Sequence, residues 1–161
     1  MKPVPKSLNT RNRNGTIWRE LANVCRTVHV YLHKKQDRQS AQRYESRLQR
    51  ILDRLPDNDL AILREEGAAL LHELRCESAS AIKHRKREIR LIERLHDSVQ
   101  ESVAVGDYDE RMAASILAGH DEAMLDERRA ILRRLELQVQ QRKGCRVPRS
   151  DPKKRRGKVH K

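Results

Sequence analysis

The sequence predicts an all-α protein made of long amphipathic helices with flexible, strongly basic ends. Aromatic residues are scarce, with one Trp, three Tyr and no Phe, so an apolar core has to come from Leu, Ile, Val and Ala. Apolar residues recur at spacings of three and four through most of the chain, which is the period of a helix. Proline breaks a helix interior, and the five prolines leave residues 6–55 and 57–147 free of it.

The first proline-free span predicts one long helix or two shorter ones. Thr16 follows an Asn-Gly pair and is a plausible N-cap. An apolar stripe then begins at Ile17, lapses over residues 33–42, and resumes from Tyr44 to Leu55. We therefore expect either a continuous helix to Leu55 or a break near residues 36–40.

The second span predicts a helix that Asp57 or Asn58 caps and that Gly106 ends. Its apolar stripe runs from Leu60 to Val103, with a weak spot at residues 77–80. Gly67 occupies a stripe position, and we attribute it to close approach of two helices or to a local bend.

The third helix is predicted to begin at Asp107, because Glu110 follows three residues later as in a capping box. Its stripe includes Met112, passes Gly119, and ends near Gly144. We give Gly119 the same two explanations as Gly67.

Short connections near Pro56 and Gly106 predict that neighbouring helices run antiparallel. The expected architecture is a long, coiled-coil-like antiparallel bundle of three helices, or of four or five if the weak spots are breaks. The predicted organisation is a flexible basic arm at residues 1–15, a helical bundle at 16–143 and a disordered basic tail at 144–161.

The net charge of +13 is concentrated in the two ends of the chain. Residues 142–161 contain ten Lys or Arg and one acid, and residues 1–15 contain four Lys or Arg and no acid. The intervening residues carry equal numbers of acids and bases, as expected for a helical body laced with ion pairs. The ends are therefore the first candidates for binding an acidic partner.

Dense cationic segments displace counterions from phosphates, so the tail predicts salt-dependent binding of DNA, RNA or another polyanion without sequence preference. A second basic cluster lies at residues 83–87, and two more arginines follow it. Helical spacing places several of these bases on one face, which could track a phosphate backbone; the alternative is an ordinary solvated helix surface. Neither segment has aromatic residues on which bases could stack. The predicted nucleic-acid-binding residues are Arg146, Arg149, Lys153, Lys154, Arg155, Arg156, Lys158, Lys161, Lys83, Arg87 and Arg90.

Several classes of function are disfavoured by what the sequence lacks. No apolar run is long enough for a membrane span, and the N-terminus does not read as a signal peptide. Cys25, Cys76 and Cys145 are an odd, widely spaced set, which favours free thiols in a reducing compartment. We expect a cytoplasmic protein, associated with a nucleoid or ribonucleoprotein as one alternative and nuclear in a eukaryotic chain.

Histidine spacing gives the only hints of a metal site. His29 and His33 lie four apart, and Glu93 with His96 matches one Glu-x-x-His unit of di-iron bundles, but a second unit is missing. We therefore predict no metal, no cofactor and no enzymatic activity, with a helical metalloenzyme or nuclease as a remote alternative. The favoured hypothesis is a non-enzymatic scaffold that binds nucleic acid through basic tails. The rival is a coiled-coil adaptor or assembly subunit that binds a helical protein or a second copy.

Overall fold

A computed structural model describes residues 6–56 and 61–144 of the chain, with side chains described over 15–56 and 61–142. All regular structure in those residues is helical and none of it is strand, which confirms the all-α prediction. None of the described helices is both long and apolar enough to cross a bilayer.

The first half of the chain contains helix α1 at Lys6–His29, a π-helical turn at Val30–Lys34, α2 at Arg38–Gln42 and α3 at Glu45–Asp53. The second half contains α4 at Ala61–Leu74, α5 at Ser78–Ala104, α6 at Glu110–Ile116 and α7 at Glu122–Gly144. The prediction of three unbroken helices is wrong, and the chain is divided further than the four or five helices of the alternative.

The two predicted weak spots are real breaks. Gln36, with φ of 51°, ends the π-helical turn, and the Asp37 side chain caps α2 by accepting a hydrogen bond from the Ser40 backbone N–H at 3.0 Å. Cys76, with φ of 60°, ends α4 in a Schellman arrangement, because the Glu77 N–H donates to the His72 carbonyl at 2.9 Å. Each break therefore centres on a non-glycine residue in the left-handed region.

The third predicted helix divides into α6 and α7. Its N-cap is Asp109, which accepts from the Met112 N–H at 2.7 Å, and not Asp107. Asp107 instead lies in the turn that follows Gly106, whose φ of +82° confirms the predicted C-cap. Gly119 has φ of +83°, and a Cβ added there would meet nothing within 4 Å. The close-approach interpretation of Gly119 is wrong, because this glycine supplies the turn that separates the two helices.

Helix α1 begins at Lys6, well before the predicted N-cap Thr16, so residues 6–15 of the predicted flexible arm are helical. The structural reason is simple. No proline follows Pro5 in this region, and one helical glycine, Gly15, costs only about 1 kcal/mol relative to alanine. The predicted caps Asp57 and Asn58 lie outside the described residues.

The larger apolar core joins α1, α2, α3 and α4 along the predicted stripes. Trp18 is 6% exposed and packs within this core. Gly67 confirms the close-approach interpretation, because a Cβ there would lie 3.1 Å from Leu52 Cδ2 and 3.2 Å from Leu21 Cδ1. The members of this core are Trp18, Leu21, Val24, Cys25, Val28, Ala41, Leu48, Ile51, Leu70, Leu71 and Leu74.

A smaller apolar core joins α5 and α7 to the start of α4, around Ile89, Ile92 and Leu125. Helices α5 and α7 run antiparallel, since Lys86 pairs with Glu136 at 2.9 Å and Glu93 pairs with Arg129 at 2.9 Å. The two cores are thus built on different helices, with α4 contributing to both.

Candidate functional site

The predicted basic residues of α5 form an exposed row on the outer surface of that helix. Lys83, Arg87, Arg90 and Arg94 are all exposed. The described residues form no ion pair with Lys83, Arg90 or Arg94, and Arg87 reaches only Glu65, at 3.9 Å. We call these four residues the α5 row. Lys83, Arg90 and Arg94, which have no ion-pair partner among the described residues, are placed to contact an external anion.

The rest of the predicted basic cluster behaves differently. Arg85, in the middle of it, is fully buried. The predicted tail residues, Arg146, Arg149, Lys153, Lys154, Arg155, Arg156, Lys158 and Lys161, lie outside the described residues. The structure therefore brings Lys83, Arg87 and Arg90 together on one face and does not test their relation to the tail.

A second row with the same spacing was missed by the sequence reasoning. Arg43, Arg47, Arg50 and Arg54 are all exposed on and beside α3, and we call them the α3 row. This row is interrupted by acids: Arg47 pairs with Glu20 at 3.2 Å, and Glu45 and Asp53 lie on the same short helix. In the α5 segment between Lys83 and Arg94, by contrast, Glu88 is buried and Glu93 is paired.

Charged side chains are also buried where α1, α4, α5 and α7 meet. Arg85, which is 0% exposed, donates to Glu73 from Nε at 2.9 Å and to Glu88 from Nη1 at 2.7 Å. The other oxygen of Glu73, Oε2, lies 2.7 Å from His33 Nε2. Arg85 thus links α5 to α4, and Glu73 extends the link to the π-helical turn.

Arg128 of α7 continues this network. Its Nη2 donates to Glu66 at 2.7 Å, and its Nε lies 3.0 Å from Glu88 Oε1. Its Nη1 lies 2.7 Å from His29 Nδ1, and His29 Nε2 lies 3.0 Å from Glu127 Oε1. Because Arg128 can only donate, His29 must accept at Nδ1 and donate to Glu127 from Nε2. We refer to Glu66, Glu73, Arg85, Glu88, Arg128, His29 and His33 as the buried charge network.

The pKa values follow from these contacts. Burial alone would raise the pKa of Glu73, but Arg85 and the hydrogen bond from His33 lower it to about 2. Burial together with the positive charge of Arg128 lowers the pKa of His29 to about 4, so this ring is neutral at pH 7. Burial raises the pKa of Glu66, against the opposing effect of Arg128. These contacts therefore keep Glu73 charged and His29 neutral near pH 7.

One end of the network opens into a cleft of about 680 Å³ between α1, α4, α7 and the turn after α6. His29, Glu66 and Arg128 contribute to its lining, and apolar side chains form much of the rest. Two exposed cations, Arg26 and Lys34, also line it. This combination of apolar walls and a few fixed polar groups is typical of a small-molecule site.

Comparison with known proteins gives no assignment. No family model, no curated protein and no solved structure matches this chain. Functional conclusions therefore depend on the sequence and on the geometry of the described residues.

The histidine pairs that suggested a metal are engaged in other contacts. His96 Nε2 lies 2.5 Å from the His120 carbonyl, and Glu93 pairs with Arg129. His29 and His33 lie side by side with ring centroids 5.1 Å apart, but each contacts a different carboxylate. Within residues 15–56 and 61–142, no three His, Cys, Asp or Glu side chains are grouped so as to hold a metal ion.

The network was missed because Arg85 was treated only as part of the basic cluster at residues 83–87, and His29 and His33 only as possible metal ligands. The sequence nevertheless carried a signal for Arg85 and Arg128. Arg85 stands three residues after Ile82 and four before Ile89, so it occupies a position in the apolar stripe of α5. Arg128 occupies the equivalent position between Met124 and Ile131 in α7. Charged residues at stripe positions are the pattern that could have indicated buried ion pairs.

Proposed function

We propose that the protein is a non-enzymatic helical scaffold that binds nucleic acid or a similar polyanion without sequence preference. The observation that carries the proposal is the α5 row, whose four cations are exposed and largely free of acidic partners. The ten basic residues within 142–161 add to it from the C-terminal end of the chain. Phosphate contacts of this kind supply affinity that is independent of base sequence.

The dimensions of the α5 row suit a phosphate backbone. Lys83 and Arg94 are separated by about 16 Å along the helix axis, at 1.5 Å per residue. At one phosphate per about 3.4 Å of each strand, the row covers about five phosphates. Three of its four members are arginines, which can hold a phosphate with two parallel hydrogen bonds.

The test is fluorescence-anisotropy binding to mixed-sequence duplex DNA and to RNA across a salt series. We expect tight, salt-steep binding by the full chain and loss of most of it in the 1–141 truncation. Replacing Lys83, Arg87, Arg90 and Arg94 by glutamine should lower the slope of log K against log salt by about 2 to 4, at about 0.9 per lost phosphate contact.

The α3 row provides a matched control, because the same four glutamine substitutions remove the same charge at the same spacing. We expect its slope to change by less than about 1, since acids flank that row. Full binding after truncation would refute a role for the tail. Equal losses from the two rows would refute a specific role for α5.

A specific observation favours a second function, the protein-interaction adaptor. Large apolar side chains are exposed around the α5–α6 turn, where Val105 is 72% and Met112 is 48% exposed. Met112 had been predicted as part of an apolar stripe. Its end of the stripe is exposed, whereas Met124 and Ile131 farther along are packed. The antiparallel pair of α5 and α7 would then serve as a coiled-coil-like platform for a helical partner or a second copy.

This alternative predicts self-association or partner binding that depends on the α5–α6 turn. Light scattering over a concentration series should show oligomers for the full chain and fewer for a Val105→Ser/Met112→Ser variant. A concentration-independent monomer would dismiss self-association, and unchanged oligomers in the variant would place the contact elsewhere.

A further inference from the structure

The cleft between α1, α4 and α7 has features that binding of a polyanion to α5 does not use. We propose that it is a binding site for a small amphipathic monoanion, a molecule with an apolar body and one carboxylate or sulfonate group. Its volume of about 680 Å³ falls in the range of small-molecule sites, which is about 300–1,000 Å³. The proposal is independent of the function proposed above.

The apolar walls of the cleft favour a ligand with an apolar body. The apolar lining comes from α1 and the π-helical turn on one side, from α4 and α5 on another, and from α7. Burial of an apolar body against such walls contributes about 25 cal/mol per Å². The apolar side chains that line it are Ala22, Val30, Ile62, Leu63, Leu95 and Met124.

The charges around the cleft call for a single negative group. Arg128, at the inner end, pairs with Glu66, the carboxylate beside it in the lining, at 2.7 Å. Arg26 and Lys34 are exposed and make no ion pair with a described residue. Glu127 provides one opposing carboxylate, which lies 3.0 Å from His29 Nε2. The charged side chains that line the cleft are three cations, Arg26, Lys34 and Arg128, and two carboxylates, Glu66 and Glu127. One cation is therefore in excess in the lining, and a monoanion would balance it.

Arg26 is the cation that best fits the ligand's acidic group. Arg26 carries a guanidinium, which is more weakly hydrated than the ammonium group of Lys34. A guanidinium also presents two parallel N–H donors to a carboxylate or sulfonate. His120 also lines the cleft. Its Nδ1 is buried and has no hydrogen-bond partner among the described residues, so it offers a further polar contact to a ligand.

The probe for this proposal is 8-anilinonaphthalene-1-sulfonate, a monoanion, compared with N-phenyl-1-naphthylamine, which has the same ring system and no charge. Fluorescence titration of the full chain should show saturable 1:1 binding of the sulfonate, at least fivefold tighter than the neutral amine. A gain of 1 kcal/mol from one ion pair corresponds to about fivefold in affinity.

Substitutions in the cleft test whether the probe binds there. Arg26→Gln should weaken the sulfonate about fivefold and leave the amine unchanged, whereas Lys34→Gln should change neither by more than about twofold. Ala22→Leu projects a larger side chain into the cleft and should weaken both probes. If Ala22→Leu fails to fold, Ala118→Leu at the exposed corner of the cleft provides the same test.

Two controls separate this site from the basic surface. Arg50→Gln removes an equal charge from the α3 row and should leave sulfonate binding intact, and so should the four α5-row substitutions. Duplex DNA should not displace the probe. Equal affinity for the two probes, an unchanged Arg26→Gln variant, or displacement by DNA would overturn the proposal, whereas loss of DNA binding alone would affect only the function proposed above.

Discussion

Replacement of Arg85 by methionine is the most informative test of the buried charge network. Methionine is shorter than arginine but fills most of the same volume with an unbranched chain, so the substitution mainly removes the charge and the hydrogen bonds. Arg85 is 0% exposed and is the group that bridges Glu73 and Glu88. Without it, Glu73 keeps only its contact with His33, and Glu88 keeps only Arg128.

We expect the Arg85→Met variant to lose about 3–5 kcal/mol of unfolding free energy at pH 7, because it leaves buried carboxylates incompletely compensated. Total stabilities of single domains are about 5–15 kcal/mol, so the variant should unfold at much lower denaturant or not fold at all. Exposed Arg87, two residues away, gives the matched control: Arg87→Met should change stability by less than about 0.5 kcal/mol.

The assay is urea denaturation followed by far-UV circular dichroism, repeated at several pH values. In the parent chain, Glu73 has a folded pKa of about 2, below its ordinary value of 4.5, so its contribution is present above pH 4.5 and is lost as pH falls towards 2. In the variant, the charged Glu73 carboxylate is buried without Arg85 and destabilises the fold, and protonation of Glu73 removes this destabilisation. The stability difference between the two proteins should therefore shrink on acidification. A loss below 1 kcal/mol at pH 7, or a loss equal to that of Arg87→Met, would refute the network as described.

Three further predictions concern single residues. The pKa of His29 is about 4 in the folded chain and 6.5 ordinarily, so the unfolding free energy should fall by up to about 3 kcal/mol as the pH drops from 6.5 to 4. Urea titration at each pH measures this decline, and the His29 contribution to it should be absent in His29→Gln. Gly67→Val should cost about 1–3 kcal/mol by overpacking against Leu21 and Leu52, whereas unchanged stability would show that the helices can separate. Gly119→Ala should cost about 1 kcal/mol in the same assay through its φ of +83° alone, and a gain in stability would contradict that conformation.

Local patterns were enough to predict the helical class and most of the larger core. The stripe from Ile17 to Leu32 and its continuation at Leu48 and Ile51 pack together as the period of three and four predicts. The lapses near residues 36–40 and 77–80 coincide with breaks because the polar side chains of these stretches give a helix no apolar face to bury against its neighbours. Gly106 was predictable because a helix end favours a residue that tolerates positive φ.

The parts that were predicted wrongly depend on contacts between distant segments. Gly67 and Gly119 looked alike in sequence, but only Gly67 faces neighbouring side chains, and the sequence does not show which helices approach it. Arg85 looked like its exposed neighbours because its partner Glu73 lies on a different helix. The α3 row went unnoticed because acids interrupt it, although its spacing is the same as that of the α5 row.

The buried charge network also connects the stability of the fold to the proposed ligand site. Buried ion pairs rarely stabilise a protein more than well-packed apolar residues would, so the network needs a reason besides stability. Its position supplies one: Glu66, Arg128 and His29 belong both to the junction of α1, α4 and α7 and to the lining of the cleft. Apolar residues at these positions could still join the helices, but they would remove the polar lining that Arg128 and His29 maintain. A ligand in the cleft would therefore give the buried charge network a role, whereas binding of a polyanion to the exposed α5 row would not involve these buried charges.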